Sequence, residues 1–396
     1  MALDRVLAES YSPVPAIEVS IVMPCLNEAE TLEACIRKAK LAIARYHLDA
    51  EIIVADNGSR DQSVMIATAL GARVVNATQR GYGAAIRAGV EAAHGRYVII
   101  GDADDSYDFG SIGPFIERLR AGADLVMGNR FKGGIKAGAM PWKHQYIGNP
   151  LLSAIGRIFF RTRVGDFYCG LRAMRKDAFD SLMLRTTGME FALEMVVKTA
   201  LRRLRIAEVP TVLNKDGRSR PPHLRTFRDG WRGLRFMLLF SPRWLFLVPG
   251  MAMLIGGAAA SIALILSPIQ LGPFGLDYGT LLVSGFVCLI GYQVALFGVF
   301  TKIFAVREGF HPEHRLLNRL YRVVTLEVGL GAGGVLFLAG LSLLVVALLG
   351  WRAVGFGALD PRTEMRELIP AVVSMAMGIQ TVFSSFFLSI LAIESR

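Results

Sequence analysis

Between residues 18 and about 213, short β-branched runs alternate with longer stretches whose apolar positions recur at helical spacing. The runs at 19–23, 51–55, 73–75, 97–100, 124–127 and 206–212 predict strands, and the amphipathic stretches at 28–45, 61–70, 84–93, 112–120 and 190–203 predict helices. Strand and helix taking turns in this way predict an α/β, Rossmann-like fold: a largely parallel sheet covered on both faces. Such sheets bind ligands at the carboxyl ends of their strands.

Two segments fit that scheme poorly. Residues 140–163 place Trp142, Tyr146, Ile147, Leu151, Leu152, Ile155, Ile158 and Phe159 among Lys143, Arg157 and Arg161, and residues 226–240 (TFRDGWRGLRFMLLF) have the same character. Both predict amphipathic helices lying in a membrane interface, the alternative being helices packed into a soluble core.

Four later stretches, 244–266, 279–304, 326–350 and 370–393, are long and apolar enough to span a bilayer. The connection 302–322 carries Lys302, Arg307, Arg315, Arg319 and Arg322, whereas 267–278 has only Asp277 and 351–369 balances three arginines with three acids. Basic connections stay in the cytoplasm, which predicts a cytoplasmic first domain and C-terminus. The expected division is an N-terminal extension over 1–17, a catalytic domain over 18–225, a juxtamembrane helix over 226–243 and an all-α four-span domain over 244–396.

Composition agrees with a membrane protein. Of 396 residues 53% are hydrophobic, concentrated beyond Trp244, and the net charge of +11 sits largely beside apolar segments. That arrangement suits an anionic lipid surface, and no basic-aromatic groove accompanies it, so nucleic acid is excluded as a partner. Cys25, Cys35, Cys169 and Cys288 lack metal-ligand spacing. The first twenty residues lack the charged start and apolar core of a cleavable signal.

The strongest chemical signal is Gly101-Asp102-Ala103-Asp104-Asp105-Ser106, which follows the apolar run Tyr97–Ile100. Carboxylates at the end of a buried strand suit Mg²⁺ or Mn²⁺ carrying a nucleotide diphosphate, because hard cations take one or two protein carboxylates and leave the rest of their shell to phosphate. The turns Pro24-Cys25-Leu26-Asn27-Glu28 and Asp56-Asn57-Gly58-Ser59-Arg60-Asp61 end two further strands at the same edge; Glu28 also fits a helix-dipole role, and Asn57, Gly58 and Asp61 fit plain turn roles. Arg80-Gly81-Tyr82-Gly83-Ala84-Ala85 lacks the third glycine of a dinucleotide fingerprint. His311 and His314 have a metal-like spacing without further ligands nearby, and Glu190 and Glu194 share a helical face that favours pairing with arginines.

Taken in order, PCLNE, DNGSRD, RGYGAAIRAG, GDADDS and GNRF resemble the inverting glycosyltransferases of family 2 over about residues 18–240. Asp166-Phe167-Tyr168-Cys169-Gly170-Leu171-Arg172 and the apolar C-terminus resemble its polyprenyl-phosphate branch, typified by dolichol-phosphate mannose synthase. The resemblance implies a GT-A nucleotide-diphospho-sugar transferase domain. It implies transfer of one hexose from a nucleotide diphosphate sugar, of the UDP-glucose or GDP-mannose type, to a polyprenyl (undecaprenyl or dolichyl) phosphate. By motif, Pro24, Asn27, Glu28, Asp56 and Asp102 line the nucleoside, Asp104 binds the metal with Asp102 and Ser106 beside it, and Arg130 holds phosphate. Lys143, His144, Arg157 and Arg172 are candidates for the lipid phosphate, with an ion pair to Asp166 the other role for Arg172. Two departures stand out: Asn57 replaces an acid, and Ser106 replaces a metal-binding glutamine.

The alternatives are a processive or saccharide-acceptor transferase and a non-catalytic lipid-sugar flippase or channel. No Q-x-x-R-W tract supports the first, and the centres of the spans carry no ionisable side chain of the kind coupled carriers use. Gly329 and Gly333 in the third span have the small-residue spacing of helix association, which suits a homo-oligomer and intrachain packing equally.

Overall fold

The computed structural model describes residues 17–219, 226–309, 311 and 325–392. Most of the N-terminal extension, His314, Arg315, Arg319 and Arg322 lie outside the described residues. Contacts divide the chain into two units, 1–237 and 238–396.

In the first unit the order is β1 (Val19–Cys25), α1 (Leu32–Arg45), β2 (Ala50–Asp56), α2 (Ser63–Ala69), β3 (Arg73–Asn76), α3 (Tyr82–Glu91), β4 (Tyr97–Ile100), α4 (Gly113–Arg120), β5 (Leu125–Asn129), α5 (Asn149–Phe160), β6 (Arg172–Arg175), α6 (Lys176–Leu182), α7 (Phe191–Leu201), β7 (Ile206–Pro210) and α8 (Thr226–Leu239). The strands form one sheet ordered β3-β2-β1-β4-β6-β5-β7. Pairing is parallel except around β6, which runs antiparallel to both β4 and β5.

Every residue of β1 and β4 is buried, because helices cover both faces of the sheet. Ile21 and Met23 join Leu32, Cys35 and Ile36 of α1 and Phe115 and Ile116 of α4 in one core. Val22 points the other way, where α3 comes so close that a Cβ on Gly89 would lie 2.5 Å from the Val22 side chain. The chain leaves β1 toward β2 and β3 on one side and returns to β4 on the other. The carboxyl ends of β1 and β4 therefore flank the point where strand order reverses, the crevice that open α/β sheets use for ligands.

The six expected strands and five expected helices of this unit all form, with ends shifted by a few residues. The seventh strand, β6, was not expected. It is only four residues long, Arg-Ala-Met-Arg, and its first arginine is buried, so its pattern does not read as a strand. Its insertion makes the sheet mixed rather than wholly parallel.

In the segment leading into α5 and along the helix, the large apolar residues face outward. Trp142, Tyr146, Ile147, Leu151 and Ile158 are exposed, while Ser153, Gly156 and Phe160 turn inward. Gly156 is small because the Phe167 ring lies against it. An apolar face directed away from the core is not the pattern of a buried helix.

The second unit contains α9 (Val248–Leu266), α10 (Tyr278–Arg307), α11 (Leu326–Ala353) and α12 (Pro361–Ala392), with a short hairpin, Ile269–Leu271 and Phe274–Leu276, before α10. Among the described residues four helices have the length and hydropathy to cross a membrane, Arg243–Leu266, Tyr278–Arg307, Leu326–Ala353 and Pro361–Leu391. The last begins nine residues before the apolar run, in a charged turn whose Arg366 pairs with Asp277 at 2.9 Å. Glycines set the helix contacts: Gly250 and Gly257 of α9 meet the α10 backbone, and Gly333 and Gly340 meet that of α12. Gly329 also faces α12, at Ser385, whereas Gly331 and Gly334 have nothing near them. The small-residue stripe noted in the sequence thus packs within the chain. His311 interacts with Lys302 Nζ at 2.9 Å and stacks on Phe240.

Candidate active site

A cavity of about 730 Å³ opens at the carboxyl edge of the sheet. Pro24, Cys25, Leu26, Asn27 and Glu28 supply one wall from the turn after β1, and Asn57, Gly58 and Arg60 continue it after β2. Arg80, Gly81, Tyr82 and Ala85 come from the start of α3, and Asp102, Ala103 and Asp104 from the turn after β4. Met189, Arg218, Arg228 and Arg232 close the remaining side.

The turns are tied together by their own polar side chains. Asn27 adopts φ 58°, a left-handed conformation that asparagine tolerates, and its Oδ1 accepts from the Arg60 amide at 2.7 Å. Asn57 Oδ1 accepts from the Gly81 amide and its Nδ2 donates to the Gln79 carbonyl, both at 2.7 Å. An aspartate in its place lacks the second bond, so the departure at Asn57 has a structural use. Gly81 has φ 129° and its Cα hydrogen side lies against the Thr187 carbonyl, while Gly83 lies against Phe191. These glycines permit backbone contact; they are not a dinucleotide fingerprint.

The acidic tract is not a solvated turn, for each carboxylate has its own partner. Asp102 Oδ1 accepts from Tyr82 Oη at 2.8 Å. Burial, and then the Asp102 charge, push the Tyr82 phenol well above its ordinary value, so it remains a donor. Asp104 accepts from the Ser106 amide and hydroxyl and, through Oδ2, from Arg218 Nη2 at 2.7 Å. Asp105, at φ 60°, turns away to Lys38 at 2.6 Å. Burial, and then the neighbouring Asp104 charge, push the Asp102 carboxyl up to about 6.

Arg218 was not anticipated. It follows β7 in a segment that lies along the acidic turn, with the Asn214 amide bonded to the Ser106 carbonyl and the Gly217 amide to that of Asp104. Its guanidinium also reaches Glu28 at 3.3 Å and Asp216 at 3.1 Å. One arginine of a basic stretch, KDGRSRPPHLRTFRDGWR, a hundred residues downstream of GDADDS carries no signal of this contact.

Several expected site residues stand elsewhere. Arg130, expected at phosphate, is buried with its guanidinium fork on Asp166, at 2.7 and 2.8 Å, and is not among the lining residues of the cavity. Arg172 does not pair with Asp166; it is buried and donates to the carbonyls of Ala192 and Cys169. Asp56 is buried and accepts from the Gly58 and Ser59 amides, so it shapes the turn while Asn57 and Gly58 reach the cavity. Ser106 is buried and orients Asp104 through a 2.6 Å bond. Lys143, His144 and Arg157 belong to the exposed-face segment around α5 and do not line the cavity. Glu194 accepts from Lys198 at 2.8 Å and from the Arg185 and Thr186 amides, a buried structural pairing, and Glu190 faces Arg232 at 3.7 Å.

The donor set suits a divalent cation. Asp102 and Asp104 share one cavity, the pKa of the first raised by burial and then by the second, and a guanidinium has been drawn onto the second. That is the charge deficit a hard ion corrects when a diphosphate fills the rest of its shell. Among the described residues no group of three His, Cys, Asp or Glu side chains is arranged to hold a metal without such help.

Comparison with known proteins agrees with this architecture. Residues 20–183 match the model of glycosyl transferase family 2, and residues 299–392 match that of the glycosyltransferase family 2 C-terminal transmembrane region. Over 390 residues, 97% of this chain and 91% of the relative, the sequence is 34% identical to the low-salt glycan biosynthesis hexosyltransferase Agl6 of Haloferax volcanii. The chain belongs to glycosyltransferase family 2. Shorter similarities place this glycosyltransferase beside a dolichyl-phosphate hexose transferase of Haloferax volcanii, 29% identical over 49% of this chain and 81% of the relative. A dolichol-phosphate mannosyltransferase of Pyrococcus furiosus is 27% identical over 49% of this chain and 56% of the relative. The enzyme is therefore a membrane glycosyltransferase, its α/β domain followed, among the described residues, by four apolar helices.

Proposed function

We propose that the enzyme transfers one hexose from a nucleotide diphosphate sugar to the phosphate of a membrane polyprenol, inverting the anomeric centre. The observation that carries this reading is the placement of Asp102 and Asp104 at the switch point of the sheet, in a chain that also has an outward apolar face around α5 and four apolar helices. The turns after β1 and β2 suit the nucleoside. Asp102 and Asp104 would hold Mg²⁺ or Mn²⁺ against the diphosphate, where the ion supplies Lewis-acid stabilisation of the departing group.

A phosphate monoester is already anionic, so attack needs no proton removed by a base. Its oxygen bonds to the anomeric carbon as the bond from that carbon to the diphosphate breaks, and the electron pair leaves with the diphosphate. The protein's tasks are alignment and charge balance. Trp142, Tyr146, Leu151 and Ile158 would rest in the lipid interface so that the acceptor head reaches the cavity, with the domain on the cytoplasmic side. Lys302 and Arg307 in the last turns of the second span support that side.

Purified enzyme should transfer radiolabelled hexose from at least one of UDP-glucose and GDP-mannose to undecaprenyl or dolichyl phosphate in detergent, one sugar per lipid. Asp104→Ala should lower the rate at least about a hundredfold. A polymeric product, or full activity of that variant without divalent metal, would sink the proposal.

A further inference from the structure

The lipid phosphate must meet the donor's anomeric carbon, and reacting atoms in such a displacement lie about 3–3.5 Å apart. Any cation that grips that phosphate therefore lines the same cavity as Asp102 and Asp104. Lys143, His144, Arg157, Arg130 and Arg172 do not line it. Among the described residues five arginines do: Arg60, Arg80, Arg218, Arg228 and Arg232.

These five differ in where their elements lead. Arg218 is bound by Asp104, Glu28 and Asp216. Arg60 and Arg80 stand on the turns after β2 and β3, at the end of the cavity formed by the nucleoside turns. Arg228 and Arg232 stand on α8, four residues and so about one helical turn apart, with their side chains on one face. This helix stops at Leu239, and the first membrane-crossing helix begins at Arg243. Arg232 is half-exposed, and its ion pair with Glu190 is long, 3.7 Å, a contact that an arriving dianion replaces at little cost. Arginine's planar fork suits a phosphate monoester.

Resting on the transfer reading above, we propose that Arg228 and Arg232 form the subsite for the acceptor's phosphate, an anionic lipid head delivered along the juxtamembrane helix. Lys143, His144 and Arg157 then serve the lipid surface and not the reacting group.

The test uses the full-length enzyme in detergent with undecaprenyl phosphate, and with a donor that the wild type turns over in Mn²⁺. Arg228→Ala and Arg232→Ala should each raise the KM for the lipid phosphate about tenfold, and the double variant more. Affinity for the nucleotide diphosphate with Mn²⁺ should change less than about twofold, which also reports that the domain is folded. Arg232→Lys should restore part of the loss. Binding of undecaprenyl phosphate without donor, followed by tryptophan fluorescence against undecaprenol as control, should weaken in parallel. Equal loss of nucleotide affinity would show that the arginines hold the donor, and an unchanged KM and lipid affinity would place the acceptor elsewhere; either overturns the subsite. If the wild type transfers no hexose to any polyprenyl phosphate, the transfer reading fails, and the lipid-binding comparison still decides the subsite.

Discussion

Arg218 Nη2 lies 2.7 Å from Asp104 Oδ2, so a guanidinium rests on the carboxylate expected to bind metal. The cation is supplied by the chain itself, from the segment after β7, and the same guanidinium reaches Glu28. A divalent ion and this arginine compete for one carboxylate. Arg218→Ala should therefore bind Mn²⁺ more tightly than the wild type in the absence of nucleotide, by about tenfold, since a hydrogen bond to a charged group contributes about 1.5–3 kcal/mol. Titration followed by Mn²⁺ electron paramagnetic resonance measures this, and equal affinities would refute the competition.

Metal binding should also depend on pH. The Asp102 carboxyl is raised to about 6 by burial and by Asp104, whereas an unfolded aspartate titrates near about 3.9. Between those values the native state keeps a proton that the unfolded state has lost, so the metal-free protein loses stability as pH rises from about 4 to about 6. Metal requires the ionised form, and Mn²⁺ affinity should fall about tenfold per unit as pH drops below about 6. Asp102→Asn should remove the stability trend. A flat Mn²⁺ affinity between pH 5 and 7 in the wild type would contradict the shift.

The Arg130–Asp166 pair should act on stability before it acts on substrate. Their side chains are 8% and 0% exposed, so removing one partner leaves the other charged and buried. Arg130→Ala or Asp166→Ala should cost about 3–5 kcal/mol, and Arg130→Met with Asp166→Leu less than either alone. Thermal unfolding in detergent gives the comparison; single variants as stable as the wild type would argue against a structural role.

Neighbouring glycines of the third span should differ sharply. A Cβ on Gly333 would lie 2.8 Å from the Gly378 carbonyl oxygen, while one on Gly334 would have nothing within 4 Å. Gly333→Leu should destabilise by about 1–3 kcal/mol and Gly334→Leu hardly at all. Matching midpoints in detergent would exclude the packing described.

The sequence by itself determined what local pattern determines. Alternating runs located six strands and five helices, continuous apolarity located four spans, and GDADDS and PCLNE located the edge where the cavity forms, because strand ends carry their turn residues with them. It did not show β6, whose Arg-Ala-Met-Arg becomes a strand only when slotted between β4 and β5. Nor did it show the partners of long charged side chains. Arg130 turned inward to Asp166, thirty-six residues away, and Arg218 crossed one hundred and fourteen residues to reach Asp104. Periodicity reports which face of an element is buried, since that depends on near neighbours along the chain. Which guanidinium meets which carboxylate depends on the strand order 3-2-1-4-6-5-7, and that order exists only once the chain has folded.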